Sequence, residues 1–279
     1  MISCKEALKR AVELLLKAEV PDAEIDAWYL FEYVTGMNRA SYFLHQEDTM
    51  DEVQVKEFSE LVDKRAKRIP LQYITGSQEF MGYSFLVSPA TLIPRQDTEV
   101  LVEEVSRVAE GKRVLDLCTG TGCILLSLAK MCHLETGVGT DISVEAIETA
   151  KNNAMRLGAE AEFYCGDLFD AVPVGVRFDI LVSNPPYIPS AVIETLMPEV
   201  KEHEPMSALD GEEDGLAFYR RIVMGANKFL AEKGQIFFEI GFEQGADVSA
   251  LLKQNGFENI KVIKDLAGLD RVVSATLAN

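Results

Sequence analysis

At 279 residues the chain is long enough for one large α/β domain or for two domains, and 48% hydrophobic with 26% charged residues is ordinary globular composition. A formal net charge of −18 leaves no general surplus of cations for gripping nucleic-acid phosphates, which argues against a non-specific duplex binder. Five cysteines (Cys4, Cys118, Cys123, Cys132 and Cys165), odd in number and without CxxC spacing, suggest neither a disulfide framework nor a zinc site. No metal is expected, and a reducing cytoplasm fits best.

The first twenty residues, MISCKEALKRAVELLLKAEV, carry charges inside their apolar run. They predict an amphipathic helix rather than a signal peptide or a membrane span, so no membrane partner is expected and the location is cytoplasmic. ALKRAVELLLKA places Leu8, Val12, Leu15 and Leu16 near one face; AEIDAWYLFEYV follows Pro21 and stops at Gly36; VQVKEFSELVDKRAKR ends before Pro70. With no strand-like alternation, residues 1–70 predict a small helical bundle. The basic run KRAKR, with Lys64, Arg65, Lys67 and Arg68, is expected to solvate a helix end, where cations complement the dipole.

Residues 71–95 change character, with Gly76, Gly82, Pro89 and Pro94 among aromatic and β-branched residues, and predict a β-hairpin or extended linker. Beyond them helix and strand alternate. EVLVEEVSRVAE is a helix, RVLDL a strand, CILLSLAKMC a helix, GVGTD a strand, VEAIETAKNNAMRLG a helix closed by Gly158, and AEFYC and FDILVS are strands. After a long loop at 188–215 come the helix LAFYRRIVMGANKFL, the strand GQIFFEI, a helix through Leu252, and strands near 259–263 and 271–276. The fold class is therefore α/β, a mostly parallel sheet with helices on both faces.

Two features promise chemistry. In KRVLDLCTGTGCILL a strand runs through Cys118, Thr119, Gly120, Thr121 and Gly122 into a helix, and Asp141 lies about 20 residues on, at the end of the next strand. Such a turn lets a ligand approach the backbone, helix N–H groups point at it, and an acid placed like Asp141 can accept ribose hydroxyls. A cofactor-free reading leaves Asp141 as a helix N-cap. The third glycine of a dinucleotide fingerprint is missing, since Leu125 stands there, and Asp116 at the strand end suits an ammonium better than a pyrophosphate. S-adenosylmethionine carries such an ammonium. Asp167 would meet the adenine amino group, with Leu168 and Phe169 as apolar walls.

The second feature is SNPPYIP at 183–189, directly after FDILVS. Two successive prolines stiffen the backbone after Asn184. A planar NH₂ group, on an amide or on adenine, is a poor nucleophile because its lone pair is delocalised. The Asn184 side-chain carbonyl and the Pro185 main-chain carbonyl can accept its two N–H bonds, with Pro186 keeping the backbone from turning away and Tyr187 supplying a flat wall. That chemistry fits an amide or an adenine-amino acceptor equally. A non-catalytic cofactor-binding scaffold and a nicotinamide oxidoreductase are the other classes. His45, His133 and His203 lie in unlike segments and receive no catalytic role.

These blocks, with PLQYITGSQEFMGYSF (70–85), TLIPRQDTE (91–99), ALDGEEDGLAFYRRI (208–222), FEIGFEQG (238–245) and DLAGLDRVV (265–273), resemble the PrmC/HemK family of release-factor glutamine methyltransferases along nearly the whole chain. The resemblance implies a helical substrate-recognition domain at 1–70, a hairpin linker at 71–95, and a seven-stranded, Rossmann-like class I methyltransferase domain at 96–279. It implies S-adenosylmethionine as methyl donor, S-adenosylhomocysteine as product, and the glutamine of the GGQ motif of peptide-chain release factors as acceptor. Cys118 to Gly122 would hold the cofactor and Asp141 its ribose. Asn184, Pro185, Pro186 and Tyr187 would take the glutamine amide, with Asn184 bordering the cofactor too and Arg95 near the mouth. An adenine N6-amino methyltransferase of DNA or RNA is the alternative. Three residues depart from the family pattern: Cys118 and Glu212 replace glycines and Gln96 a proline. A side chain at Cys118 requires a negative φ.

Overall fold

The computed structural model describes residues 2–278 and divides into two compact units. The first runs to Gly76 and also takes in a distant segment, Met197–His203. Its helices are α1 (Cys4–Lys17), α2 (Ala23–Thr35), α3 (Arg39–His45), α4 (Glu52–Ala66) and α5 (Leu71–Thr75). Several boundaries have a local cause. The Ser3 hydroxyl accepts from the Glu6 amide, the Asp51 carboxylate caps α4 through Val53, and Gly36 closes α2 in the left-handed region at φ 69°. The core gathers Leu15, Trp28, Phe31 and Phe58, with the Tyr42 ring edge-on to Phe31. Leu16 does not share the face of Leu15: one residue is a rotation of about 100° on a helix, and Leu16 is 57% exposed.

The basic run also behaves differently from its expectation. Lys64 and Lys67 are exposed, but Arg65 is buried. Its guanidinium donates to Asp26 at 2.6 Å and to Glu199 at 2.8 Å, while Arg68 holds both oxygens of Glu199 at 2.7 and 2.6 Å. Two cations and two carboxylates thus balance inside the unit. The short helix Pro198–Lys201 brings Glu199 into this unit, a partnership 134 residues apart that no local pattern shows.

The second unit begins with an antiparallel hairpin, β1 (Ser77–Phe80) and β2 (Tyr83–Leu86). The hairpin starts later than the change in composition, because α5 occupies residues 71–75. Then follow α6 (Gln96–Ser106), β3 (Arg113–Leu117), α7 (Cys123–Met131), β4 (Thr136–Asp141), α8 (Val144–Leu157), β5 (Glu162–Cys165) and β6 (Phe178–Ser183). The helix Ala217–Ala226, β7 (Leu230–Glu239), the helix Gly245–Gln254, β8 (Phe257–Lys264) and β9 (Asp270–Leu277) complete it.

Seven strands form one sheet in the order β5-β4-β3-β6-β7-β9-β8. The five from β5 to β7 are parallel, while β9 runs antiparallel to both β7 and β8. Successive residues of the central strands enter opposite cores: Leu115, Leu181 and Phe238 on one face, Val114, Ile180 and Phe237 on the other. Burial on both faces explains why RVLDL and FDILV read as nearly continuous apolar runs.

Candidate active site

The chain winds outward from β3 through β4 to β5, then returns to place β6 on the other side of β3. The crevice at the carboxyl ends of β3 and β6 is therefore the switch point at which open α/β sheets bind ligands. Leu117 and Ser183 are paired at those ends, and the Ser183 hydroxyl donates to the Leu117 carbonyl at 2.7 Å. Cys118 and Asn184, the next residues, leave the sheet at one level.

The turn after β3 is a left-handed sequence, with φ 60° at Cys118, 55° at Gly120 and 77° at Gly122. Cys118 therefore adopts a glycine-like backbone, contrary to the negative φ expected for a residue with a side chain. Packing of its thiol against the sheet core helps hold it there, at a cost of about 1–2 kcal/mol for a left-handed L-residue. Glu212, at φ 68°, is strained in the same way. Burial, then the carboxylates of Asp141 and Asp116, pushes the Cys118 thiol far above its ordinary pKa. Cys123 is pushed up to about 12, chiefly by burial.

Asp116 lies beneath the turn. It is completely buried, one carboxyl oxygen accepts from the Thr119 hydroxyl at 2.6 Å, and the other meets no protein donor in hydrogen-bonding geometry. Burial raises its pKa to about 7. Asp116 is not among the residues lining the cavity and holds the turn through the Thr119 hydroxyl.

Above the turn lies a cavity of about 390 Å³. Cys118, Thr119, Gly120 and Thr121 form one wall, and Asp141, Asp167, Leu168, Asn184 and Pro186 also line it. Asp141 accepts from the Gly120 amide and the Ser143 amide, each at 2.9 Å, and burial raises its pKa. It is not the helix cap; the Ser143 hydroxyl caps α8 by accepting from Ala146. Asp167 accepts from Arg221 at 2.6 Å. Phe169 is not a cavity wall: it stacks on Phe229, ring centroids 4.6 Å apart, over a Gly225 that has no room for a side chain. The aromatic lining comes instead from Phe218, with the Arg221 guanidinium 5.6 Å from its ring centre. Both belong to a helix far along the chain, and their only sequence signal is the block ALDGEEDGLAFYRRI.

At the other wall the Asn184 amide donates to the Thr98 hydroxyl at 3.4 Å. Tyr187 turns away from the cavity: its hydroxyl donates to Glu239 at 3.2 Å, and its ring packs against the core. Burial, then the adjoining Glu239, pushes its pKa far up. The Gln244 amide donates to the carbonyls of Tyr187 (3.0 Å) and Gly215 (3.2 Å). At Gly211 a methyl group would stand 2.8 Å from the Tyr187 backbone. The Asn–Pro–Pro–Tyr stretch is thus stiffened by its prolines and clamped from behind.

Arg95 points into an ion pair with Glu204, whose carboxylate is buried and faces the Ile93 amide. Neither Arg95 nor Tyr187 lines the cavity, and Gln96 opens α6. The long loop at 188–215 is ordered by single-turn helices at Ser190–Ile193, Pro198–Lys201 and Met206–Leu209, and by hydrogen bonds from Ile188 and Gly211. Met206, Ser207, Asp210 and Glu212 from it line the cavity. Among the described residues no helix is long and apolar enough to cross a membrane.

This sheet order, with a glycine turn and an acid-ended neighbouring strand at the switch point, defines a class I methyltransferase. The methyltransferase small domain model matches residues 95–199, and a methyltransferase structure from Pyrococcus furiosus superimposes with a TM-score of 0.56 at 15% identity, over 78% of this chain and 99% of that one. The PrmC N-terminal domain model matches residues 6–76. A release factor glutamine methyltransferase of Agrobacterium fabrum is 43% identical over 93% of this chain and 92% of its own. One from Geobacter sulfurreducens is 42% identical over 94% and 93%. The chain belongs to the release factor glutamine methyltransferase family.

Proposed function

We infer that the protein transfers a methyl group from S-adenosylmethionine to the side-chain amide nitrogen of the glutamine in the GGQ motif of peptide-chain release factors. The observation that carries this reading is the meeting of Asn184 with the acid-lined cavity at one switch point, within a chain of this family. A cavity of about 390 Å³ falls in the range of small-molecule sites.

The residues present fit such a cofactor. The Asp141 carboxylate has lone pairs beyond the two amide bonds it already accepts, enough for ribose hydroxyls. Ile142, Leu168 and Phe218 offer apolar surface for an adenine, and Asp167 an acceptor at its edge. When bound, S-adenosylmethionine supplies an electrophilic methyl group. The protein's part is positional: the Asn184 and Pro185 carbonyls take the two N–H bonds of the glutamine amide, favour a pyramidal nitrogen and fix its direction. The nitrogen releases one proton as it gains the methyl group, and no covalent enzyme intermediate is needed.

The test is transfer of labelled methyl to a purified bacterial release factor, with duplex DNA and RNA as parallel acceptors and mass spectrometry locating the mark. One methyl on the GGQ glutamine, reduced by roughly 100-fold or more in Asn184→Ala, is the expected result. Label on nucleic acid alone would replace the protein substrate by the adenine alternative.

A further inference from the structure

The Asn184 side chain has two ends of opposite hydrogen-bonding character, and methyl transfer to an amide works with only one of them facing the substrate. If the carbonyl faces the cavity it accepts from the substrate NH₂; if the amide were reversed, two donors would oppose each other. Something must therefore set its orientation, and the prolines, which act on the backbone, do not.

Thr98, at the margin of the cavity, and Glu239, outside it, flank Asn184. Thr98, in the first turn of α6, is buried, and its hydroxyl is 3.4 Å from the Asn184 amide nitrogen. Glu239 ends β7 and is also buried. One of its carboxylate oxygens accepts from the Tyr187 hydroxyl at 3.2 Å, and the other is buried without a partner in good hydrogen-bonding geometry. Burial raises the Glu239 pKa, while the Thr98 hydroxyl, followed by Arg271, pulls it back. A hydroxyl stabilises a carboxylate only by turning its proton toward it. In the structure Thr98 accepts from the Asn184 NH₂, so its one proton is free to face Glu239, in keeping with the downward pull on that carboxylate. With its NH₂ held on Thr98, Asn184 leaves its carbonyl for the cavity.

We propose that Thr98 and Glu239 act as a pair of positioning residues, setting the side-chain orientation of Asn184 and anchoring the hydroxyl of Tyr187, so that the two ends of the Asn–Pro–Pro–Tyr stretch are aligned by one buried carboxylate. This rests on the methyl-transfer reading above. Neither residue touches the reacting atoms; each acts through a residue that is itself part of the stretch.

Thr98→Val keeps the shape and removes the hydroxyl, Thr98→Ser keeps the hydroxyl, and Glu239→Gln replaces an acceptor by a group that also donates. Steady-state kinetics with a release factor, and calorimetric binding of S-adenosylhomocysteine, separate the possibilities. Thr98→Val and Glu239→Gln should lower kcat by roughly 10- to 100-fold, the scale of a misplaced reacting group, with cofactor affinity changed by less than about twofold. Thr98→Ser should return most of the rate, and the double variant Thr98→Val/Glu239→Gln should be no slower than the slower single one. Should Glu239→Gln not fold, the two Thr98 variants decide the matter. Wild-type transfer with Thr98→Val equally fast, or with Thr98→Ser as slow as Thr98→Val, overturns this inference alone. A wild type that methylates no release factor overturns it together with the assigned reaction.

Discussion

Arg65 and Glu199 meet at 2.8 Å with both side chains nearly closed off from solvent. Arg68 grips the same carboxylate, and Asp26 neutralises the far side of Arg65. Removing one member of such a cluster leaves a buried charge without a partner, a loss of about 3–5 kcal/mol for comparable pairs. Glu199→Ala should therefore lower the unfolding free energy of the N-terminal unit by that order, read as a fall in its urea midpoint. An unchanged midpoint would mean that solvent reaches the guanidinium groups freely.

The same carboxylate predicts an acid effect. Burial works to raise its pKa, but hydrogen bonds from Arg68 and Arg65 outweigh it and bring the value to about 2, against an ordinary 4.5. A depressed folded pKa gives stability that is complete above pH ~4.5 and is lost as pH falls toward 2. Acid unfolding followed by circular dichroism should show the wild type losing stability across that window, with a smaller acid-dependent loss in Glu199→Gln.

Gly215 predicts a separable defect. It sits at φ 72°, and a methyl group there would stand 2.7 Å from the Gln244 amide nitrogen and against the Tyr187 carbonyl that this amide holds. Gly215→Ala should slow methyl transfer by at least about tenfold through displacement of the Asn–Pro–Pro–Tyr stretch. Asp141 and the glycine turn lie elsewhere, so cofactor binding should change by less than about threefold on the same scale. Equal losses in rate and in cofactor affinity would show that the whole pocket had collapsed instead.

The parts legible in the sequence were those governed by local rules. Alternating helix and strand patterns, Gly36 and Gly158 as helix stops, and the two-faced burial of FDILV all follow from short-range periodicity and turn chemistry. The glycine turn and Asn184 converge as expected because strand order places both at one sheet edge. What stayed hidden depends on distant partners. Arg65 reads as a surface cation until Glu199 arrives from 134 residues away. Phe169 reads as a pocket wall until Phe229 and Gly225 draw it into the core, leaving Phe218 to supply the aromatic surface. Thr98 and Glu239, ordinary in their own segments, acquire meaning only where α6 and β7 approach the end of β6.

Thiol chemistry offers a rapid check on the turn. Cys165 is exposed, whereas Cys4 and Cys123 are buried and burial holds Cys118 and Cys123 in the thiol form. Since the thiolate is the nucleophile, a disulfide reagent should label Cys165 first in the native protein and Cys118, half-buried in the cavity wall and held as the thiol, far more slowly. Fast native labelling of Cys118, located by peptide mapping, would contradict the packed turn. Cys118→Gly should change stability by less than about 1 kcal/mol, because relief of left-handed strain offsets lost packing and the greater freedom of the unfolded chain. Cys118→Val, bulkier and β-branched at φ 60°, should cost more than about 2 kcal/mol.

Asp116 should impose the opposite pH dependence to Glu199. Burial, partly relieved by the Thr119 hydroxyl and reinforced by Asp141, brings its folded pKa to about 7 from an ordinary 3.8. Its contribution to stability is thus fully present below pH ~3.8 and is lost as pH rises through about 7, when the unfolded chain carries the charge more readily than the folded one. Asp116→Asn does not titrate and still offers an acceptor to Thr119. Its stability relative to wild type should therefore rise between pH 5 and pH 8, by on the order of 1–3 kcal/mol, since each tenfold difference in proton affinity between the folded and unfolded chain is worth about 1.4 kcal/mol. Urea unfolding of both proteins at the two pH values measures this difference. Parallel stability curves would mean that Asp116 is ionised at no cost, and that its second oxygen finds a donor when the protein is in solution.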